Sequence, residues 1–150
     1  MVTLRAATAR ELTARFGGGH WSGEPTERAV LHEMRISKVW LASSGRATVA
    51  TFRLGTRKPW AIDRSYFTSV TCPLYLTGMA VRPDYQRRGV GRRCVDEIVR
   101  IARRWPGDAI RLDAYDADAG AGGFYSRCGF RRVGKAIYRG NPLVYYEMVL

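Results

Sequence analysis

The densest group of residues able to bind a ligand is Gln86-Arg87-Arg88-Gly89-Val90-Gly91, between an apolar run and an amphipathic one. A glycine-rich turn leading into a helix gathers backbone N–H groups at the positive end of the helix dipole, where phosphate oxygens are favoured. Glycine also lets ligand and backbone approach closely. From Arg82 to Arg93, five Arg oppose one acid, Asp84, for a local charge of +4. The loop is neither the GxxxxGK[ST] of a Walker A sequence nor the GxGxxG of a dinucleotide site. A pyrophosphate bearing a further phosphate is the ligand expected. Other chemistries are poorly supplied. Cys72, Cys94 and Cys128 are odd in number, far apart and without a CxxC pair, and His20 and His32 stand at no ligand spacing to them, so neither a disulfide framework nor a metal site is expected. Cys94 and Cys128 fall on apolar helix faces without a paired histidine, which favours inert core thiols over a nucleophilic role.

The elements that must position this loop follow from periodicity. Val2 to Ala6 reads as a short strand, and Thr8 with Glu11 has capping-box spacing for a brief helix over Ala9 to Phe16, stopped by Gly17, Gly18 and Gly19. Pro25 suits the first position of a second helix to about Ile36, with Val30 and Met34 along one face. Lys38 to Ala42 and Ala47 to Leu54 read as a hairpin around Ser44-Gly45. The irregular segment from Gly55 to Pro73 carries Trp60, Asp63, Tyr66 and Phe67, which with Tyr138, Arg139, Tyr145 and Tyr146 are candidates for the walls of a ligand pocket or for ordinary packing. Leu74 to Val81 is a nearly unbroken apolar strand of the kind buried on both faces. Val90, Cys94, Ile98, Ile101 and Trp105 then form the stripe of an amphipathic helix ended by Pro106-Gly107. Ala109 to Tyr115 is the next strand, and the strand, helix, strand unit favours a parallel or mixed sheet. Asp118 can cap a helix through Cys128, closed by Gly129, and strands at Arg131 to Tyr138 and Leu143 to Val149 finish the chain. The fold class is α/β, a mixed sheet with helices on both faces.

With 150 residues, the chain is read as a single domain over 1–150, able to hide roughly 68–70% of its unfolded surface. The formal charge of +12 comes from 25 basic against 13 acidic residues and implies a polyanionic partner. Its 22 Arg against only 3 Lys suggest that part of the excess is coding bias. No apolar run reaches the ~18–20 residues of a membrane span and no signal-peptide order opens the chain, so a cytoplasmic protein without a membrane partner is expected.

The stretch VRPDYQRRGVGR resembles the [QR]xxGx[GA] signature of the GCN5-related N-acetyltransferase (GNAT) family, and RLDAYDADAGAGGFYSRCGF is similar to that family's later block ending in FYxxxGF. The likeness is firm over about Leu74 to Val133 and fades before Leu74. It implies a single-domain GNAT-like mixed sheet and transfer of acetyl from acetyl-CoA to a primary amine by direct attack. Acetyl-CoA would be the donor, with no metal. The resemblance would have Met79, Ala80 and Val81 offer backbone groups to pantetheine and to the thioester oxygen, where an N–H also suits a developing oxyanion. Gln86, Arg87, Arg88, Gly89, Val90, Gly91 and Arg92 would wrap the pyrophosphate. Tyr125 occupies the position of a tyrosine near the CoA sulfur and could protonate the leaving thiolate. Phe124 is grouped with the cofactor-binding residues, although packing is its simpler role. Asp113 lies where some relatives carry a base for the ammonium; pairing with a neighbour such as Arg111 is the alternative. Asp118 replaces an asparagine that contacts the cofactor, and a carboxylate near phosphates would repel them, so helix capping suits it better. Glu147 could reach the acceptor or face solvent. Two further readings stand beside the enzyme: a noncatalytic acyl-CoA-binding regulatory domain, and a basic nucleic-acid-binding module, for which no helix-turn-helix, RNA-recognition or zinc pattern is present. No specific nucleic acid is expected as a partner, and exposed terminal strands admit a homodimer.

Overall fold

The computed structural model describes residues 1–150, with every side chain except those of His20 and Ile36. The reading of His20 as no metal ligand thus lies outside the described residues. Two compact units alternate along the chain, one comprising 1–54 and 78–95, the other 55–77 and 96–150.

The first unit opens with helix α1, Val2–Phe16. This corrects the expected strand at Val2 to Ala6. β-Branched Val2 and Thr3 favour a strand locally, but the segment runs as one helix to Phe16 with Leu4, Ala6 and Ala9 buried, and tertiary burial outweighs local propensity. Thr8 sits inside the helix, its hydroxyl donating to the Leu4 carbonyl at 3.0 Å, so it caps nothing. Gly17 ends α1. Helix α2, Glu27–Ile36, is capped by Thr26, whose side chain accepts from the Ala29 N–H at 3.2 Å. Pro25 therefore precedes the cap instead of opening the helix. Val30 is buried but Met34 is exposed, which narrows the expected apolar face. Strands β1, Lys38–Ser44, and β2, Ala47–Gly55, form the expected antiparallel hairpin, with Trp40 stacked on Phe52 at 5.4 Å. The Arg82 N–H donates to the Val49 carbonyl at 2.8 Å, fastening the end of strand β3, Pro73–Val81, to β2.

In the second unit Pro73 to Tyr75 pair in parallel with Ala109 to Arg111 of β4, Ala109–Tyr115. Strand β4 pairs antiparallel with β6, Asn141–Val149, and β6 with β5, Arg131–Tyr138. The strand order is β1-β2-β3-β4-β6-β5, six strands in a mixed sheet. Helix α3, Val90–Arg104, follows the strand as its apolar stripe predicted: Cys94 and Val95 are buried in the first unit, Ile98 and Ala102 in the second. Burial on both faces holds for Leu74 to Leu76 but not for the half-exposed end of β3. Helix α4, Gly122–Arg127, is shorter than expected and has no side-chain cap. The Gly120 N–H closes a turn on the Ala117 carbonyl at 2.7 Å, which holds Asp118 exposed and outside the helix. Gly129, at φ +93, follows the helix end as anticipated.

The irregular segment after β2 is held by packing and by one buried carboxylate. Ile62 and Phe67 join Tyr75 and Tyr145 in a core cluster. Glu147, 1% exposed, accepts from Arg111 Nε at 3.1 Å and from the Thr68 N–H and hydroxyl at 3.2 and 2.7 Å. Arg111 also donates to the Thr68 carbonyl. Glu147 thus neither faces solvent nor stands free for an acceptor, because it is committed to this clamp. Phe67 and Tyr145 pack as core, whereas Trp60 is 83% exposed.

Candidate active site

The loop between β3 and α3 is built in the first unit from a tight turn, two left-handed residues and a helix start. Pro83 to Tyr85 form one 3-10 turn, inside which Arg82 donates to both oxygens of Asp84. Hydrogen bonding to Arg82 holds the Asp84 carboxyl below its ordinary pKa. The Arg82 and Arg88 guanidiniums lie over the Tyr85 ring at 5.2 and 5.7 Å. Gln86 Nε2 donates to the Val81 carbonyl at 3.0 Å, tying the loop to the strand end. Its amide therefore braces the loop, and that carbonyl already has a donor. Arg87 at φ +57 and Gly89 at φ +77 are both left-handed, a backbone turn of the kind in which successive N–H groups can line an anion-binding nest. A Cβ on Gly89 would meet nothing within 4 Å, so this side of the loop is open. The first i to i−4 bond of α3 runs from the Arg93 N–H to the Gly89 carbonyl at 3.0 Å, so Val90 and Gly91 stand in the opening turn, where helix N–H groups have no carbonyl one turn back. Arg87, Arg88 and Arg92 are exposed around them.

The second unit places Tyr125 on α4, 8% exposed and ringed by aromatics: Phe124 at 5.2 Å, Phe130 at 5.6 Å and Tyr146 at 6.1 Å between ring centroids. Burial pushes its phenol well above the ordinary tyrosine pKa, and the negative charge of Asp113 adds to the shift. The phenol is therefore protonated throughout the neutral range. Asp113 is half-buried on β4, opposite Tyr145 in the register with β6. Arg111, its expected ion partner, is bound to Glu147. Tyr146 lies so close to α4 that a Cβ on Gly122 would sit 2.4 Å from its hydroxyl. Cys94 and Cys128 are buried, and burial raises the Cys94 thiol pKa, away from nucleophilic use.

Residues 73–130, which span β3, the loop, α3, β4 and α4, match the model of the acetyltransferase (GNAT) family. Over these residues the chain is similar to the GNAT family. Its fold is also that of solved GNAT structures. An acetyltransferase of the GNAT family from Listeria monocytogenes superposes with a TM-score of 0.74 at 19% identity, over 99% of this chain and 86% of the other. A ribosomal-protein-alanine N-acetyltransferase from Brucella melitensis gives 0.69 at 16% identity, over 99% and 93%. A GNAT family acetyltransferase from Elizabethkingia anophelis with acetyl-CoA bound gives 0.62 at 14%, over 86% of each chain. No protein of curated function matches in sequence.

One feature of the first unit escapes sequence reading. A cavity of about 480 Å³ is lined by α1, α2, β2 and residues Gly78 to Ala80 of β3, with Arg5, Glu33 and Arg53 in its wall. These three residues come from three elements, and the misreading of Val2 to Ala6 as strand hides the face on which Arg5 lies. The only local signal is Gly78 within an apolar strand, a mark of close approach.

Proposed function

We propose that residues 1–150 form one acetyl-CoA-dependent N-acetyltransferase domain that moves acetyl to a primary amine by direct attack, with no covalent enzyme intermediate. The buried, protonated phenol of Tyr125 in the field of Asp113 carries this reading. The loop fits the cofactor: an open turn of left-handed residues, N–H groups at a helix start and exposed guanidiniums suit a pyrophosphate. Arg87, Arg88 and Arg92 would neutralise phosphate charge, while Gly89, Val90 and Gly91 would offer backbone N–H groups. Met79 and Ala80 would present strand backbone to the pantetheine arm. Bound acetyl-CoA supplies an acyl group activated as a thioester. Asp113 accepts the proton that the ammonium must lose before its nitrogen can attack. Tyr125 Oη keeps its proton at neutral pH and delivers it to the leaving sulfur. Phe124 supports the Tyr125 ring, and exposed Asp118 has no assigned role at the phosphates.

Similar proteins support the donor: the Elizabethkingia acetyltransferase is described with acetyl-CoA bound, and the Brucella one as acting on a ribosomal-protein alanine. A cytoplasmic enzyme is part of the reading, in keeping with an exposed free thiol at Cys72. So is a homodimer through a terminal strand, since β5 ends the strand order and exposes Ile137. The test is release of free thiol from acetyl-CoA across a broad panel of primary amines. Amine-dependent release matched by N-acetyl product is expected. Tight acetyl-CoA binding with no release for any amine would instead mark an acyl-CoA-binding domain without catalysis.

A further inference from the structure

Arg5 on α1 and Arg53 on β2 share one carboxylate, that of Glu33 on α2. Arg5 Nη1 lies 2.5 Å from Glu33 Oε2 and Arg53 Nη1 3.3 Å from Oε1. Two guanidiniums against one carboxylate leave the cluster with a positive charge. Both arginine side chains are largely withdrawn from water, 14% and 17% exposed. Arg5 Nε, Arg5 Nη2 and Arg53 Nε are buried without a hydrogen-bond partner. Unmet donors on buried cations are costly, and a bound anion is one group that would satisfy them. Burial pulls the Arg53 pKa below its ordinary value, opposed by Glu33 and reinforced by Arg5.

Two of the unmet donors converge on one point of the backbone. Gly78 adopts φ +58, and a Cβ there would lie 3.0 Å from both Arg5 Nη2 and Arg53 Nε. The glycine makes room for the two guanidiniums over the strand, next to Met79 and Ala80. All of these residues line the same cavity of about 480 Å³, a size suited to a small metabolite.

We propose that this cavity holds a carboxylate of the acceptor, so that the substrate is an amine of amino-acid size that also carries a carboxylate gripped by Arg5 and Arg53. The proposal rests on the acetyltransferase reading above. A carboxylate presents two coplanar oxygens to guanidinium N–H groups, and it restores charge balance to the cluster. With the carboxylate anchored, the amine is directed toward the strand residues assigned to the thioester. Its nitrogen forms the new bond to the acyl carbon and loses a proton, the carbon–sulfur bond breaks, and the sulfur leaves as thiol. Glu33 fixes the spacing of the two arginines and is a positioning residue.

The experiment compares wild-type kcat/KM for L-α-amino acids and short ω-amino acids with that for their primary amides, alongside calorimetry of acetyl-CoA and of the N-acetyl amino acids. At least tenfold preference for one or more acids over the matched amides is expected. Arg53→Gln and Arg5→Gln should collapse that preference through KM, with acetyl-CoA affinity held within about threefold. Amides used as well as acids by the wild type, or a preference that survives both substitutions, would overturn the proposal. A preference for succinyl-CoA over acetyl-CoA that Arg53→Gln removes would place the anion on the donor and equally overturn it. If acetyl-CoA does not bind at all, the acetyltransferase reading fails instead. If a variant does not fold, the wild-type comparison of N-acetyl amino acids with their amides by calorimetry still decides, equal affinity contradicting the assignment.

Discussion

Tyr125 Oη is held protonated by burial among Phe124, Phe130 and Tyr146 and by the charge of Asp113. Tyr125→Phe removes the transferable proton with little change of shape, so kcat should fall on the order of 100-fold while acetyl-CoA affinity holds. Steady-state kinetics with calorimetry checks this, and lost CoA binding with unchanged turnover would contradict the acid role. The raised pKa also has a sign: an acid shifted upward keeps its proton beyond the ordinary tyrosine range. The rate should therefore show no falling limb between about pH 8 and 10 from loss of this proton, and one that vanishes in Tyr125→Phe would contradict the assignment. Tyr125, Asp113 and the arginines of the loop are candidates that the sequence offers because short motifs contain them. Arg5, Glu33 and Arg53 were not, since no local pattern links positions 5, 33 and 53.

Elements were legible where periodicity was strong and burial agreed with propensity. The stripe of α3, the hairpin of β1 and β2 and the bounds of β4 all follow directly from their residues. Reading failed at α1, where local β-preference yields to buried Leu4, Ala6 and Ala9, and at α4, where a turn at Ala117 to Gly120 displaces Asp118 from the cap. Caps and clamps found only in three dimensions carry measurable stability. Thr26→Ala should cost about 1 kcal/mol by chemical denaturation, because the Ala29 N–H loses its acceptor. No change would show that α2 starts elsewhere. Glu147→Gln should cost about 3 kcal/mol, since it leaves buried Arg111 without a counter-charge. A loss below about 1 kcal/mol would show that the Thr68 segment is not held by this carboxylate.

Over the whole molecule, the net +12 divides into a local +4 between Arg82 and Arg93 and a remainder spread along the chain. The local portion surrounds an open turn fit for a pyrophosphate, whereas the rest forms no nucleic-acid motif. Binding to duplex DNA at low salt should accordingly collapse by about 200 mM salt, as measured by fluorescence anisotropy, and affinity that persists would favour a specific nucleic-acid partner. The match of residues 73–130 to the GNAT family and the six-stranded order frame these expectations, and the proposed acceptor rests on the side-chain chemistry of the cavity wall. The central claim is that the loop from Gln86 to Arg92 receives acetyl-CoA. Calorimetric titration of acetyl-CoA into the purified protein tests it most directly: saturable one-to-one binding, weakened at least tenfold in Arg87→Ala/Arg88→Ala, is the result predicted, and no binding at millimolar concentration would contradict it.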